Sequence, residues 1–153
     1  MKLENRSNFY LINKPKTWTS QDLCSKFKYL YKFKKVGHAG TLDPNAEGLM
    51  LLATDKYTKL FNYTKETDKT YKVSTLFGYS SDSIDTDTDV NKNEDISLND
   101  HLEELNKSMN TFLGSSMQKP PMYSAVKVDG KRLYKYARQG KEVDIPDREI
   151  HIS

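Results

Sequence analysis

A single carboxylate, Asp43, stands in the run Gly37-His38-Ala39-Gly40-Thr41-Leu42-Asp43-Pro44, between an apolar residue and a proline. Glycine permits backbone angles that other residues disfavour, and proline fixes φ just after the acid. Gly37, Gly40 and Pro44 are therefore the expected hinges of a rigid loop. A carboxylate held this way, with His38 five residues before it, suits positioned chemistry better than a mobile surface acid does. The other reading of the octet is a tight turn capped by Asp. No second histidine lies near His38, so no metal site is expected there. A different acidic run, Asp85-Thr86-Asp87-Thr88-Asp89, invites a calcium reading. A calcium loop of the EF-hand type needs Gly at its sixth position and Glu at its twelfth, and these are Val90 and Ile96. A solvated acidic loop is expected instead.

The elements that must carry the Asp43 loop alternate between strand and helix. Phe9-Tyr10-Leu11-Ile12 reads as a buried strand ending at Lys14-Pro15. Ser20 is placed to cap a helix bearing Leu23, Cys24, Phe27, Leu30 and Tyr31 on one face. After the loop, residues 49–54 read as an apolar strand and 56–64 as a short helix with Tyr57, Leu60 and Phe61 inward. Residues 70–77 have strand propensity throughout, with Tyr71, Val73, Thr75 and Phe77 on one face. Residues 78–97 are polar and acidic and are expected to be a loop.

Ser97-x-x-Asp100 forms a capping-box pattern for an amphipathic helix with Leu98, Leu102, Leu105, Met109 and Phe112. Pro120-Pro121 breaks it off from a strand over 123–128, and Asp129-Gly130 signals a turn. A helix around 131–139 is expected to stop at Gly140, and residues 148–153 alternate like the start of a strand. The fold class this pattern predicts is α/β, in the α+β sense of a mixed, largely antiparallel sheet flanked by helices.

Composition sets looser bounds. A chain of 153 residues is one domain's worth and can bury a core. It is 36% hydrophobic and 29% charged, with no apolar run long enough to span a membrane. Its one cysteine, Cys24, excludes an internal disulfide framework and reads as a core thiol, which suits a reducing compartment. The first six residues resemble neither a signal peptide nor an obvious transit peptide. Charge is unevenly distributed: residues 1–36 carry +7, residues 119–141 carry +6, and residues 82–104 carry −8. Two basic lobes with interleaved tyrosines fit a polyanion such as RNA. An ordinary lysine-rich surface would read the same way.

Three segments carry a resemblance. The run from Gly37 to Pro44, continued by Ala46 and Gly48 into Leu49-Met50-Leu51-Leu52-Ala53-Thr54, resembles the active-site motif of the TruB family of pseudouridine synthases. That family modifies uridine 55 of tRNA. Asn13-Lys14-Pro15-Lys16-Thr17-Trp18-Thr19-Ser20 resembles the family's Asp-Lys-Pro-x-Gly-x-Thr/Ser-Ser signature. Pro121-Met122-Tyr123-Ser124-Ala125-Val126-Lys127 and the residues up to Gly140 resemble its Met-Tyr-Ser-Ala-x-Lys segment. The likeness runs from about Phe9 to the last residue, in the same order.

The resemblance implies roles. Asp43 matches the catalytic nucleophile, Tyr71 the tyrosine that stacks on the flipped uracil, and His38 the histidine that contacts the RNA loop. For Tyr71, a strand tyrosine packed in a core is the competing reading. Lys14 is grouped with the RNA-binding residues and, with Pro15, is expected to buttress the loop. Lys127 and Arg132 are candidates for phosphate contacts, which a solvated face explains equally well. No cofactor and no metal is implied. The implied partner is the T-arm stem-loop of tRNA, with no membrane, and the full-length enzyme is expected to be a monomer. A cytoplasmic location is expected, or a plastid or mitochondrion if a presequence has been removed.

In the family, a Gly-Thr-Tyr-Ile-Arg segment supplies an arginine that pairs with the catalytic aspartate, and these 153 residues do not contain it. Residues 1–153 are therefore expected to be the N-terminal part of an incomplete catalytic domain. The rest of that domain and a C-terminal RNA-binding domain are expected to lie outside this chain. Asp43 is then expected to be exposed and the chain alone inactive. The alternatives are a guide-RNA-dependent, dyskerin-type synthase and a non-catalytic RNA-binding module. The segment from Met122 to Gly140 resembles the stand-alone tRNA enzymes more closely. Three departures stand out: Asn13 for the signature Asp, Thr17 for its Gly, and Ser80 where an Arg is common.

Overall fold

The computed structural model describes residues 7–63 and 68–153, so residue 64 of the expected helix over 56–64 lies outside the described residues. The chain divides into two compact units, Met1–Lys72 and Val73–Ser153. Each is described by itself.

The first unit is built on a three-stranded antiparallel sheet. Strand β1 (Phe9–Lys14) pairs with β3 (Gly48–Thr54), and β2 (Val36–His38) pairs with the other edge of β3. Alternation puts Tyr10, Ile12 and Lys14 of β1 on one face with Met50, Leu52 and Thr54 of β3. Helix α1 (Ser20–Tyr31) covers that face. Leu23, Cys24, Phe27, Phe33, Met50 and Leu52 form the buried centre, with Tyr10, Ile12, Trp18, Tyr31, Val36 and Leu42 packed around it. The ring of Phe27 lies 4.7 Å from Tyr31, 5.0 Å from Tyr10 and 5.8 Å from Phe33, centroid to centroid. Each apolar side chain so enclosed stabilises the unit by about 1.5–3 kcal/mol relative to exposure.

Two expectations for α1 need correction. The cap is Thr19 rather than Ser20: the Thr19 hydroxyl accepts from the Asp22 N–H, and the Asp22 carboxylate accepts from the Thr19 N–H. The Thr19 hydroxyl and N–H together hold the Asp22 carboxyl below the usual carboxylate range. Leu30 is exposed, because it lies past the edge of the stripe that meets the sheet. The expected short helix is a 3₁₀ helix over Asp55–Asn62 with none of its residues buried. Tyr57 and Phe61 nonetheless close over Phe9, at 5.3 and 5.9 Å between ring centroids.

Residues 70–77 form no strand, and Tyr71 is 63% exposed. High β-propensity describes side chains that fit a pleated surface; the ladder itself needs a neighbour, and among the described residues none pairs here.

The second unit pairs its strands two at a time. The region expected as a loop contains a small antiparallel pair, β4 (Tyr79–Ser80) with β5 (Asn91–Lys92). Ser97 makes no side-chain cap; a 3₁₀ turn over Leu98–His101 leads into helix α2 (Leu102–Asn110). Leu98, Leu102, Met109 and Phe112, expected to face a core, are exposed. Strand β6 (Gly114–Gln118) was not expected and pairs with β9 (Arg148–Ile152).

Of the strand expected over 123–128, only β7 (Lys127–Val128) enters a ladder, with β8 (Lys131–Arg132). Asp129 and Gly130 between them both have positive φ, 49° and 77°, as a two-residue turn of the primed type requires. Helix α3 (Leu133–Ala137) follows and buries Leu133. Helices with small antiparallel sheets make the fold mixed α/β, as expected. Among the described residues, no helix is long and apolar enough to cross a membrane.

Candidate active site

The Asp43 loop leaves β2 at His38 and rejoins the sheet at Gly48, the first residue of β3. Asp43 itself is exposed, as expected. Its two neighbours are not free. On one side, the backbone of Leu42 is clasped by Ser20: the Leu42 N–H donates to the Ser20 hydroxyl at 3.0 Å, and that hydroxyl donates to the Leu42 carbonyl at 3.0 Å. Ser20 is the buried first residue of α1, so the clasp ties the loop to the helix start. On the other side, the Pro44 carbonyl accepts from the Thr17 N–H at 2.7 Å and from the Lys14 ammonium at 3.3 Å. The Ala46 N–H closes a turn onto the Asp43 carbonyl at 3.1 Å, with Pro44 second in the turn, where its fixed φ belongs.

The outcome is a carboxylate whose backbone is pinned at the residue before and the residue after. The loop is held by anchors outside the octet, Ser20, Thr17 and Lys14. Gly37 and Gly40 are corrected as hinges, because neither adopts positive φ. Gly37 is held extended in β2 opposite Ala53, and the space its missing side chain leaves is bordered by Thr58 at 3.6 Å. The strained backbone lies instead at Thr17, with φ of 70°. The position where the family signature has Gly and this chain has Thr is thus one that occupies a glycine-like conformation.

Lys14 has a place unlike that of most lysines. Its side chain is fully buried, and its ammonium donates to the carbonyls of Pro15 at 3.0 Å, Trp18 at 2.8 Å and Pro44 at 3.3 Å. An ammonium has three N–H donors, so all are engaged within the protein. This is the expected buttress; it leaves no donor for an RNA phosphate, and the RNA-contact assignment of Lys14 is corrected. Burial lowers its pKa from the ordinary lysine value, and the carboxylates of Asp43 and Glu47 oppose that shift. The positive charge beneath the loop is therefore in the field of the candidate nucleophile.

His38 is half-buried at the loop's first end, and its Nδ1 lies 2.7 Å from the Gly40 carbonyl. A carbonyl only accepts, so Nδ1 carries the hydrogen and Nε2 of the neutral ring is left as an acceptor. Tyr71 is exposed in the last residues of the first unit. Lys127 and Arg132 are opposite each other in β7 and β8, in the second unit, with Lys127 exposed and Arg132 half-buried. Ser20, Thr17 and Glu47 were missed as site residues. Thr19-x-x-Asp22 is a better capping-box match than a Ser20 cap, and it leaves Ser20 available for another part.

Comparison with known proteins identifies the family. Residues 28–153 match the N-terminal domain of the TruB family of pseudouridylate synthases. The chain belongs to the TruB family. It is 46% identical over 149 residues to tRNA pseudouridine synthase B of Psychrobacter arcticus, covering 94% of this chain and 39% of that protein. Against tRNA pseudouridine synthase B of Ligilactobacillus salivarius the identity is 39% over 141 residues, covering 92% and 47%. The Lactobacillus acidophilus protein of the same name is 42% identical over 142 residues, covering 93% and 48%. The chain thus spans about two fifths to one half of the length of these TruB relatives.

Proposed function

We propose that this chain carries the nucleophile-bearing part of a tRNA pseudouridine synthase that isomerises uridine 55 in the T-loop, with Asp43 as the nucleophile. The observation that carries this reading is the pinned loop: an exposed carboxylate whose flanking residues are fixed by Ser20 on one side and by Thr17 and Lys14 on the other. The names of the TruB relatives support the tRNA substrate, and their bacterial origin supports a cytoplasmic site of action.

The reaction breaks the C1′–N1 glycosidic bond, turns the uracil, and forms a C1′–C5 bond; the C5 proton is lost and N1 gains one. Neither oxidation state nor atom count changes, so the protein needs to bind, orient and stabilise charge. The target base must leave its stack, at a cost of a few kcal/mol that is least in an RNA loop. An ionised carboxylate must then reach the exposed nucleotide, whether by adding to the sugar or by assisting a glycal-like path. Tyr71 offers an exposed aromatic face of the kind on which a flipped base stacks. His38, with Nε2 free to accept, suits contact with an RNA donor group. Lys127 and Arg132 would meet phosphates. We assign residues 1–153 to the N-terminal part of the catalytic domain, with the arginine partner of Asp43 supplied from elsewhere in the enzyme.

The test uses a T-arm stem-loop tritiated at uridine C5. Tritium release is expected from the protein extended to the length of its TruB relatives, and not from residues 1–153 alone. Asp43→Asn in the extended protein is expected to abolish release while RNA binding persists. Turnover by that variant would overturn the nucleophile assignment, and release by residues 1–153 alone would overturn the division of the site.

A further inference from the structure

The stretch from Leu23 to Leu42 contains no acidic residue and five lysines: Lys26, Lys28, Lys32, Lys34 and Lys35. Among the described residues, none of these five ammonium groups is ion-paired to a carboxylate. On α1 the positions 25, 28 and 29 lie at three- and four-residue spacing, so they share a flank of the helix distinct from its core stripe at Ser20, Leu23, Cys24 and Phe27, and Lys32 is the left-handed C-cap that follows. Ser25, Lys28, Tyr29, Lys32 and Phe33 line an open groove of about 490 Å³ there. The Lys32 ammonium sits over the Tyr29 ring, 4.5 Å from its centroid, which holds it at the groove. Tyr29 remains largely exposed, and Lys34 and Lys35 follow in the exposed turn before β2.

A second concavity of about 450 Å³, lined by Thr17, Trp18, Asp22, Ser25 and Lys26, adjoins the first at Ser25. The two share a wall along α1, and the far one ends at Thr17, whose N–H holds the Pro44 carbonyl beside Asp43.

We propose that the Lys28–Lys32 groove binds the phosphate backbone of RNA, as a second contact surface on the helix flank that leads to the Asp43 loop. The inference rests on the RNA-modifying reading above. Unpaired lysines around an aromatic-lined concavity match a polyanion that also presents stacking faces, and no element of the mechanism at Asp43 uses them. The C-terminal end of a helix favours lysine for its own stability, an effect that would place cations there without a ligand. Binding and not helix stability must therefore be the readout.

The experiment measures the affinity of the 153-residue chain for a T-arm stem-loop RNA between about 50 and 200 mM salt, beside the variant Lys28→Gln with Lys32→Gln. The slope of log affinity against log salt counts the phosphates neutralised, at roughly 0.7–0.9 per contact. The double variant is expected to bind about tenfold more weakly at the low-salt end and to show a slope shallower by about 1–2. A control pair in the second unit, Lys92→Gln with Lys107→Gln, is expected to leave both unchanged. Wild-type slope and affinity in the Lys28/Lys32 variant would overturn this inference while leaving the RNA-binding reading intact. An equal loss in the control pair would also overturn it, because the effect would then be net charge alone. Absence of RNA binding by the unsubstituted chain would overturn this inference alone, because the reading above divides the site and is tested by tritium release from the extended protein.

Discussion

The two units reach comparable lengths by different means. The first folds α1 onto one face of a sheet and encloses Leu23, Cys24, Phe27, Phe33, Met50 and Leu52 in one cluster. The second forms three two-stranded pairs and two helices, yet its buried apolar side chains are Leu133 and Ile145, while Leu98, Leu102, Met109 and Phe112 stay exposed. A helix with an apolar stripe needs a facing surface within reach before the stripe becomes a core. The candidate nucleophile is mounted on the unit that has such a surface, where its anchors Lys14 and Ser20 are themselves buried.

The sharpest way to break this contrast is to cut a leucine from each unit. Leu52→Ala removes a fully buried side chain from β3 and is expected to cost about 2–5 kcal/mol. Leu102→Ala, in the exposed stripe of α2, is expected to change stability by about 0.5 kcal/mol or less. Trp18, the one tryptophan, lies in the first unit, so its fluorescence in a denaturant titration follows that unit for Leu52→Ala. Amide exchange of α2 follows the other. Comparable losses would mean that the stripe of α2 is as well packed as β3, and the contrast would fail.

Lys14→Met tests the anchor directly. Methionine keeps the apolar stem but leaves the carbonyls of Pro15, Trp18 and Pro44 without their shared donor. The expected cost is about 2–3 kcal/mol by Trp18 fluorescence, together with faster exchange of the Thr17 N–H. Unchanged exchange at Thr17 would show that the loop does not depend on the buried ammonium.

Much of this was legible in the residues, and the misses have physical causes. Short-range patterns carried β1, β3, α1 and the Asp129-Gly130 turn, because an apolar run, an apolar stripe at helical spacing and a turn dipeptide are local properties. The Asp43 loop was legible as a rigid feature, but for the wrong reason: the rigidity comes from hydrogen bonds to the Leu42 and Pro44 backbones, and a carbonyl's partner leaves no trace in its own residue type. Lys14 illustrates the same limit: a buttress is expected of it, but nothing in a lysine's own identity shows the three carbonyls around its ammonium. The strand expected at 70–77 and the core face expected for α2 failed together. In both, side-chain character states what a segment fits, and only a partner makes it happen.

Cys24 separates enclosed from exposed groups by pH. Burial pushes its thiol up from 9.0 to about 11. Folding therefore favours the protonated thiol, so its contribution is complete below about pH 9 and is lost as pH rises toward 11, when the unfolded chain ionises first. The loss amounts to about 2 kcal/mol by pH 11, and Cys24→Ala is expected to flatten that part of the profile. In the native chain the thiol is also expected to resist a disulfide reagent at pH 8, where it is both buried and protonated. Rapid labelling without unfolding would show that the core around α1 opens readily.

A small effect is expected at Thr17, and it bears most closely on how the loop is held. A β-branched residue at φ 70° costs about 1–2 kcal/mol, and it persists because its N–H is needed at the Pro44 carbonyl, 2.7 Å away. Glycine adopts the same angle without strain but loses more freedom on folding, which offsets part of the gain. Thr17→Gly is therefore expected to stabilise the first unit by about 0.5–1 kcal/mol, while Thr17→Ala, which keeps a Cβ in the same conformation, is expected to gain less. Both leave the Thr17 N–H in place, so exchange at that amide should slow or hold. If Thr17→Gly instead destabilises the unit and speeds that exchange, the restricted backbone of threonine is what fixes the turn, and the strain is part of how this chain positions Asp43.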